Sequence, residues 1–226
     1  MQGNEKTLIV ITGGTIESSY NPEEATPYHV PLTHAPQDSV IPAAMQMLGL
    51  TERRCDYYPL CIKDSKETWL PGHMEALIHH IADQGYTKLV IVQGTDTMPA
   101  MAQAFAHRLN DWEGRAGLDR LRVVFTGAMT PLRDKHQQWR GLDAHGTPEL
   151  ENKNCDGWGN LRLAYEDAQN AKPGIYIEMG QGPWPAHEVR KDVTLDRNRP
   201  STTVQQSSFV HTPGKPQEIH SASLCR

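Results

Sequence analysis

Four short runs constrain this chain more than any other feature: Leu8-Ile9-Val10-Ile11, Leu89-Val90-Ile91-Val92, Val123-Val124-Phe125 and Ile175-Tyr176-Ile177. Unbroken apolar runs this short, rich in β-branched residues, read as strands covered on both faces. Between them lie stretches with helical spacing. Trp69 to Gln84 carries Met74, Leu77, Ile78 and Ile81 and is closed by Gly85. A second helix follows Met98, Met101, Ala102, Phe105 and Leu109, and a third spans Leu161 to Ala171. Residues 38–49 predict another helix, and Cys55 to Ile62 another strand. Strands alternating with helices predict an α/β chain: a Rossmann-like three-layer fold with a mainly parallel sheet flanked by helices. At 226 residues, one domain with a substantial core is expected.

The strand ends are more unusual than the strands. The first run stops at Thr12-Gly13-Gly14-Thr15-Ile16, and another at Gln93-Gly94-Thr95-Asp96-Thr97. Glycine there lets the backbone turn sharply and approach a ligand closely. In open α/β sheets, ligands bind at the carboxyl ends of strands. A threonine hydroxyl is a feeble nucleophile unless a base takes its proton. Asp96, several lysines and the tyrosines Tyr20 and Tyr28 are within reach of that role in sequence. These residues are compatible with a hydroxyl-nucleophile hydrolase and also with plain solvated turns. Residues 17–36 carry Pro22, Pro27, Pro31 and Pro36, which forbids a long helix and suits an active-site lid or a surface loop. Residues 133–157 are polar and without period, and read as an insertion or long loop.

Composition removes several classes. The net charge is −5 and no basic block is present, so nucleic acid is not an expected partner. No apolar stretch approaches membrane-spanning length, and the amino terminus lacks a basic, cleavable leader pattern. Cys55, Cys61, Cys155 and Cys225 show neither zinc spacing nor a redox pair, which favours a reduced, cytoplasmic protein.

Five segments in order resemble the bacterial-type asparaginase/glutaminase family: Thr12–Ile16; Gly94-Thr95-Asp96-Thr97-Met98; Thr126-Gly127-Ala128-Met129 with Pro131; Asp156-Gly157 with Asn160-Leu161; and Glu188-Val189-Arg190-Lys191. The resemblance covers residues 7 to 192, the amino-terminal domain of that family, and the chain is similar to its short, single-domain members. It implies a catalytic domain at 1–196 and a tail at 197–226 resembling the interdomain linker, with at most a short strand around Phe209-Val210. It implies hydrolysis of the side-chain amide of L-asparagine to L-aspartate and ammonia, with Thr15 as nucleophile and direct attack by water as the other order of events. Thr95, Asp96 and Lys191 resemble the second triad. A lysine beside Thr95 serves as base only when its amine is neutral. Two-domain spacing points to Tyr28 as the activating tyrosine, and short-type spacing points to Tyr20, which is preferred here. Asp64 and Ser65 resemble the clamp for the substrate's α-groups, joined by Gly94, Thr95 and Asp96. No metal and no cofactor are implied.

The family's second domain, which closes the pocket of a neighbouring subunit, has no counterpart in the chain, so the tail, a partner subunit of a homo-oligomer, or the lid is expected to close it. The stretch between Pro131 and Asp156 exceeds the family pattern and carries Lys135, His136, Trp139 and Arg140 near a strand end. Two other readings stay open: hydrolysis of glutamine or a larger amide, and a non-catalytic ligand-binding homologue.

Overall fold

The structure is a computed structural model, and it describes residues 5–21, 23, 36–50, 52–64, 67–112, 118–152, 154–191 and 209–213. Among these, a six-stranded sheet is built from β1 (Thr7–Gly13), β3 (Cys55–Lys63), β4 (Lys88–Val92), β5 (Arg122–Thr126), β7 (Gly174–Ile177) and β8 (Trp184–Pro185). The order is β3-β1-β4-β5-β7-β8; the first five are parallel and β8 is antiparallel. The α/β expectation, a mainly parallel sheet between helices, is what the chain forms.

The apolar runs alternate between two cores, as strand geometry requires. Leu8, Val10, Leu89, Ile91, Val123 and Phe125 face one layer, made by α2 (Pro71–Gln84) and α3 (Met98–Asp111). Ile9, Ile11, Val90, Val92 and Val124 face the other, made by α1 (Ile41–Met47) and α4 (Gly157–Asn170). Burial on both sides explains why these strands read as continuous rather than alternating.

Three helix boundaries differ from the sequence reading. The helix expected from Trp69 starts at Pro71, because a residue before proline is kept extended: Leu70 has φ −71 and ψ 149. The helix expected over 38–49 is confined to Ile41–Met47, with Gly49 at φ +75 just beyond it. The last helix starts at Gly157, not Leu161. Gly157 and Gly159 are weak helix formers, but a Cβ on Gly159 would lie 2.3 Å from the Leu150 carbonyl oxygen. Close packing outweighs propensity there.

The 133–157 stretch is also more ordered than expected. Asp134 accepts N–H bonds from His136 and Gln138, and Asp143 from His145 and Thr147, closing two tight turns. β2 (Ser19–Tyr20) pairs in parallel with β6 (Arg133–Asp134). Outside the main sheet, β9 (Val189–Lys191) pairs antiparallel with β10 (Phe209–His211), opposing Phe209 to Lys191. The side chain of Phe209 enters the first core. Cys55, Cys61 and Cys155 are free and buried, and burial raises their thiol pKa values to about 11, 11 and 12. Among the described residues, no helix is long and apolar enough to cross a membrane.

Glu178, at the end of β7, is 1% exposed and hydrogen-bonded to Asp167 of α4. Burial first, then the neighbouring Asp167 carboxylate, raises its pKa to about 7. The native state therefore holds this proton more tightly than the unfolded chain does. The pair's contribution to stability is full below the ordinary glutamate pKa and declines as pH rises to about 7. Glu178→Gln keeps an acceptor for the Gly180 N–H and a donor for Asp167, and it removes the charge. Urea unfolding at pH 5 and pH 8 should show the variant gaining on wild type by about 1–3 kcal/mol at the higher pH. An equal difference at both pH values would show that the pair holds no shared proton.

Candidate active site

The strand order reverses between β1 and β4: the chain leaves β1 toward β3, and every later parallel strand adds on β4's side. In open α/β sheets such a switch point, at the carboxyl ends of β1 and β4 here, is where a ligand crevice forms. Gly13 and Gly14 take φ +98 and +91. A Cβ on Gly13 would sit 2.4 Å from the Lys63 carbonyl oxygen, and one on Gly14 would sit 2.5 Å from Gly94 Cα. Gly14 N–H donates to the Lys63 carbonyl at 2.8 Å. The turns after β1, β3 and β4 thus meet backbone to backbone, and Thr15 and Thr95 leave the same junction.

A polar chain beneath the junction fixes these turns. The Thr12 hydroxyl donates to the Val92 carbonyl at 2.8 Å, the Gln93 amide donates to Thr97 Oγ1 at 3.1 Å, and the Thr97 hydroxyl donates to the Glu67 carbonyl at 3.1 Å. Thr15 opens a single 3-10 turn, Thr15–Glu17. The carboxylate of Glu17, 4% exposed, accepts from the Ser39 hydroxyl and from Val40 N–H, tying that turn to the start of α1. Asp156 is half-buried, and desolvation of its carboxyl group pushes its pKa up. Its carboxylate accepts from Met129 N–H (2.9 Å), Thr130 N–H and hydroxyl, and the Asn160 amide, so it holds the turn after β5. The Asp-Gly…Asn-Leu segment is therefore a clamp on a neighbouring turn.

Lys191 reaches this junction from β9. Its side chain is 5% exposed, and its amine donates to Thr95 Oγ1 at 3.0 Å and pairs with the Asp96 carboxylate. Thr95 itself is 2% exposed. Of the three residues named together from sequence, Lys191 touches both Thr95 and Asp96, although Lys191 and Asp96 are 95 positions apart. The strand carrying Lys191 is clamped in turn. Thr212 N–H donates to the Glu188 carbonyl, His211 Nε2 lies 2.7 Å from the Glu188 carboxylate, and Trp184 stacks on His211 at 5.3 Å. Asp64 lies at the turn after β3, where its N–H donates to Glu67 Oε2 at 2.8 Å. Tyr20 lies on β2, with the Arg140 guanidinium 4.0 Å from its ring centre. Ser65 and Tyr28 fall outside the described residues. Gln93, Thr97 and Glu188 lie inside segments named from sequence, and His211 does not. Their supporting contacts, such as Thr97 to the Glu67 carbonyl and Glu188 with His211, are announced by no local pattern.

The chain matches the family model "Asparaginase, N-terminal" over residues 6–138. Its fold is similar to a probable cytoplasmic L-asparaginase from Campylobacter jejuni (TM-score 0.56, 22% identity, 83% of this chain and 50% of that one). It is also similar to the thermostable L-asparaginase from Thermococcus kodakarensis (TM-score 0.54, 21% identity, 94% and 57%). L-asparaginase I from Vibrio cholerae is a third (TM-score 0.50, 20% identity, 84% and 49%). The chain spans about half the length of these structures. No curated protein sequence matches it.

The backbone contact at Gly14 is directly testable. Gly14→Ala places a methyl against Gly94 in a backbone region that side chains rarely adopt, and should cost about 2 kcal/mol or more. Gly72, at the start of α2, has open space around it, so Gly72→Ala should be neutral or mildly stabilising. Denaturant midpoints of the two variants would compare them. Equal small effects would mean that the β1 and β4 turns do not touch.

Proposed function

The chain belongs to the asparaginase family, and on that premise we propose that it is an amidohydrolase that converts L-asparagine to L-aspartate and ammonia. The observation that supports this reading best is the contact of Lys191 with Thr95 and Asp96 at the switch-point crevice. A binding module has no evident need for a buried lysine held between a threonine and an aspartate at the mouth of a crevice already carrying Thr15.

In this reading the Thr15 hydroxyl oxygen attacks the side-chain amide carbon. The carbon–nitrogen bond breaks, the nitrogen leaves as ammonia after protonation, and an aspartyl ester remains on Thr15. Water then attacks the ester carbon and frees the threonine. Thr95, Asp96 and Lys191 handle the proton, and the Asp96 carboxylate also suits the substrate's α-ammonium as a charge-assisted partner. Gly94, Asp64 and Ser65 complete the binding side, with Tyr20 assisting Thr15. The first-turn amides of α3, directly after Thr97, present the positive end of a helix dipole to negative charge. No cofactor takes part. Residues 1–196 make the catalytic unit, which works in the cytoplasm as a homo-oligomer and uses β10 of the 197–226 tail to brace Lys191.

Ammonia release from asparagine and glutamine tests the reading. One methylene is discriminated by about 10–200-fold, so asparagine should be preferred within that range. Thr15→Ala should retain less than about a tenth of turnover while folding normally, because the residual rate over water of a site without its nucleophile is small. Lys191→Met keeps the stem volume and should lower kcat about 100-fold or more. Full activity in the first variant would remove Thr15 as nucleophile, and an unchanged second variant would remove Lys191 from the proton path.

A further inference from the structure

The segment just after Thr15 is held by the 133–140 turn, a part of the chain for which the family resemblance supplies no role. Tyr20 opposes Asp134 in the β2–β6 pair, its carbonyl accepts from Lys135 N–H at 2.9 Å, and the Gln137 amide donates to the Ser19 hydroxyl at 2.8 Å. Lys135 Nζ lies 2.6 Å from the Glu23 carboxylate. Backbone pairing sets where the Tyr20 Cα sits. Backbone pairing alone does not set the plane of the ring.

Arg140 acts on the ring. Its guanidinium carbon lies 4.0 Å from the ring centre, within the range of an attractive cation–aromatic contact. The guanidinium is itself immobilised: Nη1 donates to the Pro131 carbonyl at 2.9 Å and Nη2 to the Asn154 carbonyl at 3.1 Å. The Arg140 backbone is fixed as well, its N–H donating to the Leu132 carbonyl at 2.9 Å and its carbonyl accepting from Trp158 Nε1 at 2.7 Å. Pro131 follows the turn after β5, Asn154 precedes α4, and Trp158 is fully buried. A planar cation tied at both ends to the scaffold thus lies against a tyrosine five residues beyond Thr15. Lysine could supply the charge but could not span both carbonyls in one plane.

We propose that Arg140 is a positioning residue for Tyr20, a proposal that rests on the amide-hydrolase reading above. It sets the plane of the ring and therefore the place of the phenol oxygen, without touching substrate. Small displacements of a reacting group cost rate rather than affinity.

The test uses Arg140→Leu, Arg140→Lys, Tyr20→Phe and the double variant Arg140→Leu with Tyr20→Phe. The readouts are steady-state ammonia release and the ring-flip rate of Tyr20 by NMR. Arg140→Leu should lower kcat by roughly 10–100-fold with KM within about threefold, and Arg140→Lys should fall between it and wild type. In the Tyr20→Phe background, where the oxygen is gone, Arg140→Leu should cost nothing further. A loss of the same size in both backgrounds would overturn the proposal, since Arg140 would then act elsewhere. So would a fully active Tyr20→Phe. The Tyr20 ring should flip about tenfold faster in Arg140→Leu, and an unchanged flip rate would overturn the positioning role whatever the activity. If wild type releases no ammonia from either amino acid, the amide-hydrolase reading fails, and the flip rate alone then decides whether Arg140 holds the Tyr20 ring. Should Arg140→Leu not fold, Arg140→Lys carries both comparisons.

Discussion

The approach of Gly14 to Gly94 is the constraint on which the rest of the site depends. Two turns from neighbouring parallel strands share space that a single methyl group would fill. The strands lie side by side in register, Ile11 opposite Val92, so both turns begin at the same height above the sheet. Any side chain at Gly14 would separate the turns, and with them Thr15 from Thr95. Gly13 applies the same condition toward β3 through Lys63.

Around this junction the loops are held by carboxylates as well as by apolar packing, with Ile16, Ala128 and Leu132 in the core. Glu17 ties the turn after β1 to α1, Asp156 ties the turn after β5 to α4, and Glu178 accepts from Gly180 just past β7. Each carboxylate collects backbone N–H donors that a bending chain leaves unpaired. Desolvation is the cost of that arrangement, visible in the raised pKa values of Asp156 and Glu178. Carboxylates so placed hold loops in one conformation, which suits a site whose parts come from separate strand ends.

The sheet was legible because doubly buried strands leave unbroken apolar runs, and the helices because their faces repeat. The helix starts were less so. Pro71 shortened one helix by a rule that acts on its neighbour, and Gly157 began another where propensity argued against it. In the candidate site, Thr15, Thr95, Asp96 and Lys191 were named through resemblance, whereas spacing alone reached only two glycine–threonine turns. Arg140 over Tyr20, and Glu188 with His211, were invisible to sequence because their partners lie 120 and 23 positions away, joined only by the fold.

The pairing of β9 with β10 has a consequence in time. Both threonine turns are set once the strands through Ile177 have paired, using contacts within the sheet itself. The amine of Lys191 arrives on a strand whose only described sheet neighbour is Phe209–His211. The strand that carries Lys191 is therefore complete only once residues 209–211 have joined it, although its Val189 already lies in the first core. Contacts of long sequence separation close last, because the loop entropy must be overcome before they form. The two glycine–threonine turns thus belong to the sheet, and the lysine beside Thr95 to a later-closing pair of strands.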